Sequence, residues 1–145
     1  MWSLISAALL AASPQVGGDT GCVGEQAGYP LCAFAVAIET APGSSQVTLR
    51  SRQNVGKEGA HAKWKELSSI TLKLDPAHRT VDHEGCEYKG KPDDTIVALT
   101  SNFGPDDPGM IGAVDWAYRV ELPSGKFVAI DPRDVRCANT AIGAD

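Results

Sequence analysis

A small antiparallel β-sandwich or open barrel is the fold class that this 145-residue sequence predicts. Three observations lead there. About seven short runs carry either period-2 alternation or continuous β-branched apolar character. Clusters of Gly, Pro, Ser and Asp separate those runs at intervals that suit hairpins. No segment sustains the 3.6-residue apolar period of a long amphipathic helix. A small α+β domain is the runner-up, because KWKEL at 63–67 and DPRDV at 131–135 are each suited to a short helix.

Taken in order, residues 19–31 are rich in Gly, Thr and Pro without apolar periodicity and read as an irregular lead-in. The β-rich domain is expected over 32–145 as a single unit. CAFAVAIET at 32–40 is a compact apolar run suited to a buried strand, and APGSS after it is a turn. QVTLRSR at 46–52 sets Val47 and Leu49 on one face and Thr48 and Arg50 on the other, completing a hairpin. The two glycines of NVGKEGA at 54–60 read as loop. HAKWKEL leans to strand, and SSITLKLD puts Ile70, Leu72 and Leu74 on one face before Pro76 ends the ladder.

TIVALTS at 95–101 has the unbroken β-branched character of a central strand. NFGPDDPGMIG at 102–112 reads as loop from its glycines and prolines. VDWAYRVEL then carries the strongest alternation in the chain, with Val114, Trp116, Tyr118, Val120 and Leu122 on one face. Pro123, Ser124 and Gly125 turn it into KFVAI. DPRDV predicts a turn or one helical turn, and a brief last strand carries Cys137.

The N-terminal MWSLISAALLAAS has no charged side chain and is apolar or small, about the length of a secretory apolar region and too short to span a bilayer as a helix. Residues 1–18 are read as a signal peptide, with cleavage after Ala12 or after Gly18. The segment before Cys22, Asp19-Thr20-Gly21, lacks the pattern for lipid attachment, and no membrane span is expected in the mature chain. Downstream of an export signal, Cys22, Cys32, Cys86 and Cys137 read as two disulfides. Of the three possible pairings, Cys22 with Cys32 closes a short loop around the Gly-Tyr-Pro turn, and Cys86 with Cys137 ties the middle of the domain to its end. That pairing is the favoured one.

Thirteen basic and 18 acidic residues leave a net charge of −5, with no two basic residues adjacent, which argues against nucleic acid or anionic lipid as a partner. HRTVDHEGCEYKGKPDD at 78–94 is the densest chemical segment. His78, Asp82, His83, Glu84 and Glu87 have the donor types for zinc or a harder divalent ion. Strand alternation separates Asp82 and Glu84 from His83, however, so a charged edge strand accounts for the segment and no cofactor is expected. No G-x-S-x-G elbow is present. The adjacent pairs Asp93–Asp94 and Asp106–Asp107 sit beside prolines and read as turn formers. Asp106 and Asp107 remain candidates for partner contact at the tip of the 102–112 loop, and Trp116 with Tyr118 for an aromatic platform, set against a core role for that face.

GCEYKGKPDDTIVAL followed by AYRVELPSGKFVAIDPRDVRCAN resembles a pattern in small secreted or periplasmic proteobacterial proteins of unknown function, over residues 85–139. The resemblance implies an exported domain with Cys86 and Cys137 in one unit, and no catalytic residues. The expectation is a periplasmic or secreted, non-enzymatic binding protein whose partner is another protein or envelope component. An inhibitor of an envelope or cell-wall enzyme and a metal-dependent hydrolase built on the 78–87 cluster are the alternatives.

Overall fold

The computed structural model describes residues 17–74 and 79–142, which form two antiparallel sheets. The expected signal segment lies outside the described residues except for Gly17 and Gly18, as does His78. The first sheet is a meander of β1 (Gly17–Val23), β2 (Phe34–Thr40), β3 (Gln46–Glu58) and β4 (His61–Lys73), paired in that order. The second contains β5 (Arg79–Asp82), β6 (Glu87–Tyr88), β7 (Lys91–Pro92), β8 (Ile96–Ser101), β9 (Met110–Glu121), β10 (Lys126–Ile130) and β11 (Val135–Ala138), in the order β5-β8-β9-β11-β6-β7 with β10 also on β9. A single 3-10 turn, Pro132–Asp134, joins β10 to β11. The sandwich expectation holds. The α+β alternative does not, since KWKEL lies within β4 and no α-helix occurs among the described residues.

Burial explains the strand sequences. Val23, Phe34, Val36, Ile38, Val47 and Leu49 of the first sheet meet Val97 and Val120 of the second in the main core. A second core of Cys86, Ile96, Ala98, Ala117, Val135 and Cys137 fills the opposite side of β8 and β9, where β11 and β6 curl over them. Ile96, Val97, Ala98 and Leu99 are therefore buried on both faces of β8, the reason that IVAL shows no alternation. On the outer face of the first sheet, Ala35 and Ala37 lie opposite Arg52 and Arg50. Those arginines reach Glu39 and Glu66 at 2.8–3.2 Å, so their stems screen the alanine methyls from water.

Three expectations are corrected. The lead-in is not irregular throughout: Gly17–Val23 pairs residue for residue with β2. It joins the sheet through backbone bonds and one apolar anchor, Val23, so it shows no side-chain period. NVGKEGA is not a loop but the end of β3. Its glycines supply a bulge, with Gly56 at φ +129°, and a hairpin turn, with Gly59 at φ +64°. The 102–112 loop ends early, because β9 starts at Met110 to pair with β11 and bury Ile111. β9 also bends: Asp115 has φ +64°, and the register against β8 slips between Ala98 and Thr100. One half of the strand thus serves β11 while the other serves β10.

Both favoured disulfides are formed, Cys22–Cys32 spanning 10 positions and Cys86–Cys137 spanning 51. No helix among the described residues is long and apolar enough to cross a membrane.

Candidate binding cleft

A recess is built where the disulfide loop after β1 leans over β9. Asp94 follows the short β7, and its carboxylate Oδ2 accepts the backbone N–H groups of Glu25 at 3.0 Å and Gln26 at 3.3 Å. Its own N–H donates to Gln26 Oε1 at 2.9 Å. Residues 24–29 are thereby pinned to the second sheet, while Cys22–Cys32 closes the base of their loop. Gly24, at φ +95°, lies where an added Cβ would stand 2.6 Å from Leu122 Cδ1, so only glycine lets the loop come this close to β9. Tyr29 then packs edge-on against Phe34, with ring centroids 5.0 Å apart.

Beneath this loop lies a cleft of about 390 Å³. Ala27, Tyr29, Val120 and Leu122 form its apolar side, and Asp93, Thr95, Arg119 and Glu121 its polar side. Arg119 is fixed from two directions. Its Nε and Nη2 both lie 3.1 Å from Asp93 Oδ2, and its guanidinium carbon is 4.9 Å from the centre of the Tyr88 ring. Burial pushes the Asp93 carboxyl up, but hydrogen bonds from the Thr95 hydroxyl, the Thr95 N–H and Arg119 outweigh it and hold the group below the usual carboxylate range. The site offers an oriented guanidinium and a carboxylate beside a tyrosine ring and aliphatic surface. That set suits the docking of a polar group attached to an apolar one.

The sequence had singled out neither Arg119 nor Asp93 as a site. Arg119 had a visible signal, as the basic residue in an otherwise apolar and aromatic strand centre. Its partner did not, because a turn aspartate and a site aspartate look alike in sequence. Asp94, read as a turn former, is one, and it serves the distant 24–29 loop as well.

The described metal candidates divide between recesses. His78 lies outside the described residues, and among those described no group of three His, Cys, Asp or Glu side chains is disposed to hold a metal. Asp82, His83 and Glu84 do line one recess of about 190 Å³ with Phe103 and Thr140, while Glu87 faces others. Asp82 is a turn residue whose Oδ1 accepts the Glu84 N–H at 3.0 Å. Burial raises its carboxyl above the ordinary value despite the backbone N–H groups of Glu84 and His83. The imidazole of His83 occupies the space that a side chain at Gly21 would need, packing β1 against the second sheet.

The binding candidates divide. Asp107 is committed to its own loop, since its Oδ2 accepts the Gly104 N–H at 2.7 Å. The buried Asn139 amide faces the carbonyls of Gly104, Asp107 and Pro108 at 2.9–3.2 Å, and so holds the loop in one shape with Asp106 exposed. Trp116 packs on the main core and donates from Nε1 to the Lys73 carbonyl at 3.0 Å, tying β9 to the end of β4. Tyr118 leans on it with ring centroids 5.9 Å apart. Trp116 thus ties the strand to the core, while both rings stay half-buried. No protein-family model, curated protein or solved structure matches this chain.

Proposed function

We propose that this chain is an exported, non-enzymatic binding domain of the periplasm or extracellular space, and that the Arg119 cleft receives part of an envelope component or another protein. The observation that carries this reading is the pairing of all four cysteines, which is characteristic of an oxidising compartment. The apolar N-terminus and the motif resemblance over 85–139 support the same location. Non-enzymatic use is supported by the way the clustered carboxylates are spent. Asp82, Asp93, Asp94 and Asp107 each accept a backbone N–H, as structural turn residues do. Signal cleavage after Ala12 fits this architecture, because a cut after Gly18 removes the first two residues of β1.

The test is expression of the full chain in a bacterial host, followed by fractionation, N-terminal mass analysis and thiol counting under denaturing conditions. A periplasmic product beginning at Ser13 with no free thiol is expected, and a cytoplasmic product with two or more thiols would sink the reading. Cosedimentation with the envelope fraction, lost in Arg119→Ala, tests the cleft.

The inhibitor reading retains one specific support, the rigid 102–109 loop with Asp106 exposed at its tip. Acidic charge there suits a basic enzyme. Unchanged inhibition of a basic cell-wall hydrolase on Asp106→Ala would remove that loop from consideration.

A further inference from the structure

We infer that the hairpin of β3 and β4 is a docking arm for an extended acidic segment of a partner protein, added along the edge of β4 at 61–66. β2 stops pairing with β3 at Gln53, yet β3 and β4 continue together to Glu58 and His61. The ten residues 54–63 are all exposed. A two-stranded ribbon with no sheet beside it is marginally stable in water, so this projection gains from a third strand. β4 is an edge strand of its sheet. Trp116 bonds β4 at Lys73 and the Gly125 turn packs at Leu67, both beyond the 61–66 stretch toward the C-terminal end of β4.

Charge defines the occupant. The hairpin Gln46–Lys73 holds six basic residues (Arg50, Arg52, Lys57, Lys63, Lys65 and Lys73) against two acidic ones (Glu58 and Glu66), a balance of +4. The rest of the chain has seven basic and 16 acidic residues, a balance of −9, and the two sum to the overall −5. Arg50 and Arg52 are neutralised by Glu39 and Glu66, whereas Lys57, Lys63 and Lys65 are exposed. Lys63 and Lys65 share one face of β4, two residues apart. A second copy pairing antiparallel about Trp64 would set Lys63 opposite Lys65 of that copy, and like charges in facing positions are unfavourable. The lysines thus block self-pairing, as lysines on edges commonly do. An acidic strand meets the opposite situation, with carboxylates at alternate positions beside Lys63 and Lys65 and backbone groups pairing along the edge. The half-buried Trp64 between them gives its side chains an aromatic contact.

The inference extends the binding-domain reading. An exported chain that ignores acidic peptide sinks only the arm, and peptide binding by a chain retained in the cytoplasm sinks only export. The experiment titrates the oxidised, full domain with a ten-residue peptide alternating Glu and Thr, following backbone amide shifts. Saturable shifts confined to 61–66 and neighbouring β3 are expected, weakened roughly tenfold or more by Lys63→Glu with Lys65→Glu and by high salt. Lys63→Gln with Lys65→Gln, which keeps side-chain length, should weaken binding less, and near-ultraviolet circular dichroism checks that both variants stay folded. No shift at 61–66, an equal response to the peptide with Lys in place of Glu, or undiminished binding by the charge-reversed variant would overturn the proposal. So would sedimentation of the wild type as an arm-dependent dimer, or shifts at 61–66 with phosphatidylglycerol vesicles and none with peptide.

Discussion

The hydroxyl of Ser51 donates to the carbonyl of Gly125 across 2.6 Å, a buried bond between residues 74 positions apart. It pins the β9–β10 turn of one sheet into the β3–β4 bulge of the other, next to the register slip between Ser51 and Arg52. Gly125 sits at φ +78°, and a Cβ there would stand 2.5–2.8 Å from Leu67 and the Ser51 oxygen. Ser51→Ala leaves the Gly125 carbonyl buried without its donor and should cost about 1 to 3 kcal/mol in urea unfolding. Gly125→Ala should cost more, since it meets both a forbidden backbone region and two neighbours. Equal stability of Gly125→Ala and wild type would disprove this docking.

The two disulfides should differ in worth. Cys86–Cys137 restrains a loop of 51 positions and Cys22–Cys32 one of 10. Loop entropy assigns about 4 kcal/mol to the first and about 3 kcal/mol to the second. Removal of each pair by alanine, compared by chemical denaturation, should show the larger loss for Cys86 with Cys137. Burial of that pair in the second core adds a packing loss in the same direction.

Gly21→Ala should destabilise the contact between β1 and the second sheet by about 1 to 3 kcal/mol, because the new methyl overlaps the His83 ring. Adding His83→Ala opens the space, so the double variant should be more stable than the sum of the two single losses implies. Strict additivity would mean that the two residues do not touch.

Acid should act on Asp93 and Asp82 in opposite directions. The folded chain lowers the Asp93 carboxyl below its unfolded value, so its contribution is present above the unfolded value and lost as pH falls through the depressed folded one. The destabilisation caused by Asp93→Asn should therefore shrink over that acid range. For Asp82 the folded value is raised. Its ionisation then costs stability, fully above the raised value and not at all below the unfolded one. Asp82→Asn keeps an Oδ1 acceptor for the Glu84 N–H and should gain on wild type in thermal melts at neutral pH, with the gain vanishing in acid. A pH-independent difference at either site would contradict the corresponding assignment.

Most of the sheet structure was legible where one face is buried, as with Val47 and Leu49 of β3 or Ile70 and Leu72 of β4, because burial on one side imposes period-2 spacing. The cysteine pairing was legible too, since loop length and compartment restrict it. β1 was not, because seven residues held by backbone bonds leave no side-chain period to read. Glycine misled at 54–60 for a related reason: a bulge and a turn inside a ribbon use the same residue type as a loop. The Arg119 cleft depends on Asp93 and Tyr88 arriving from a separate strand-turn unit. Such a meeting is a property of topology, and local sequence does not carry it.

β1 has a further consequence for the life of the chain before oxidation. It covers the outer edge of β2, whose Phe34–Ile38 segment is wholly apolar and buried, and the Cys22–Cys32 bond joins the two strands at their Val23–Phe34 end. Loss of that bond lets a weakly patterned strand peel away and bares FAVAI, an uncharged β-prone stretch of the kind that seeds aggregation. Reductant should therefore raise light scattering from the wild type, and Val36→Lys on the reduced chain should suppress the growth of ordered aggregate even as it weakens the fold. In that sense the first strand acts as a cap whose latch is set by the redox state of its surroundings.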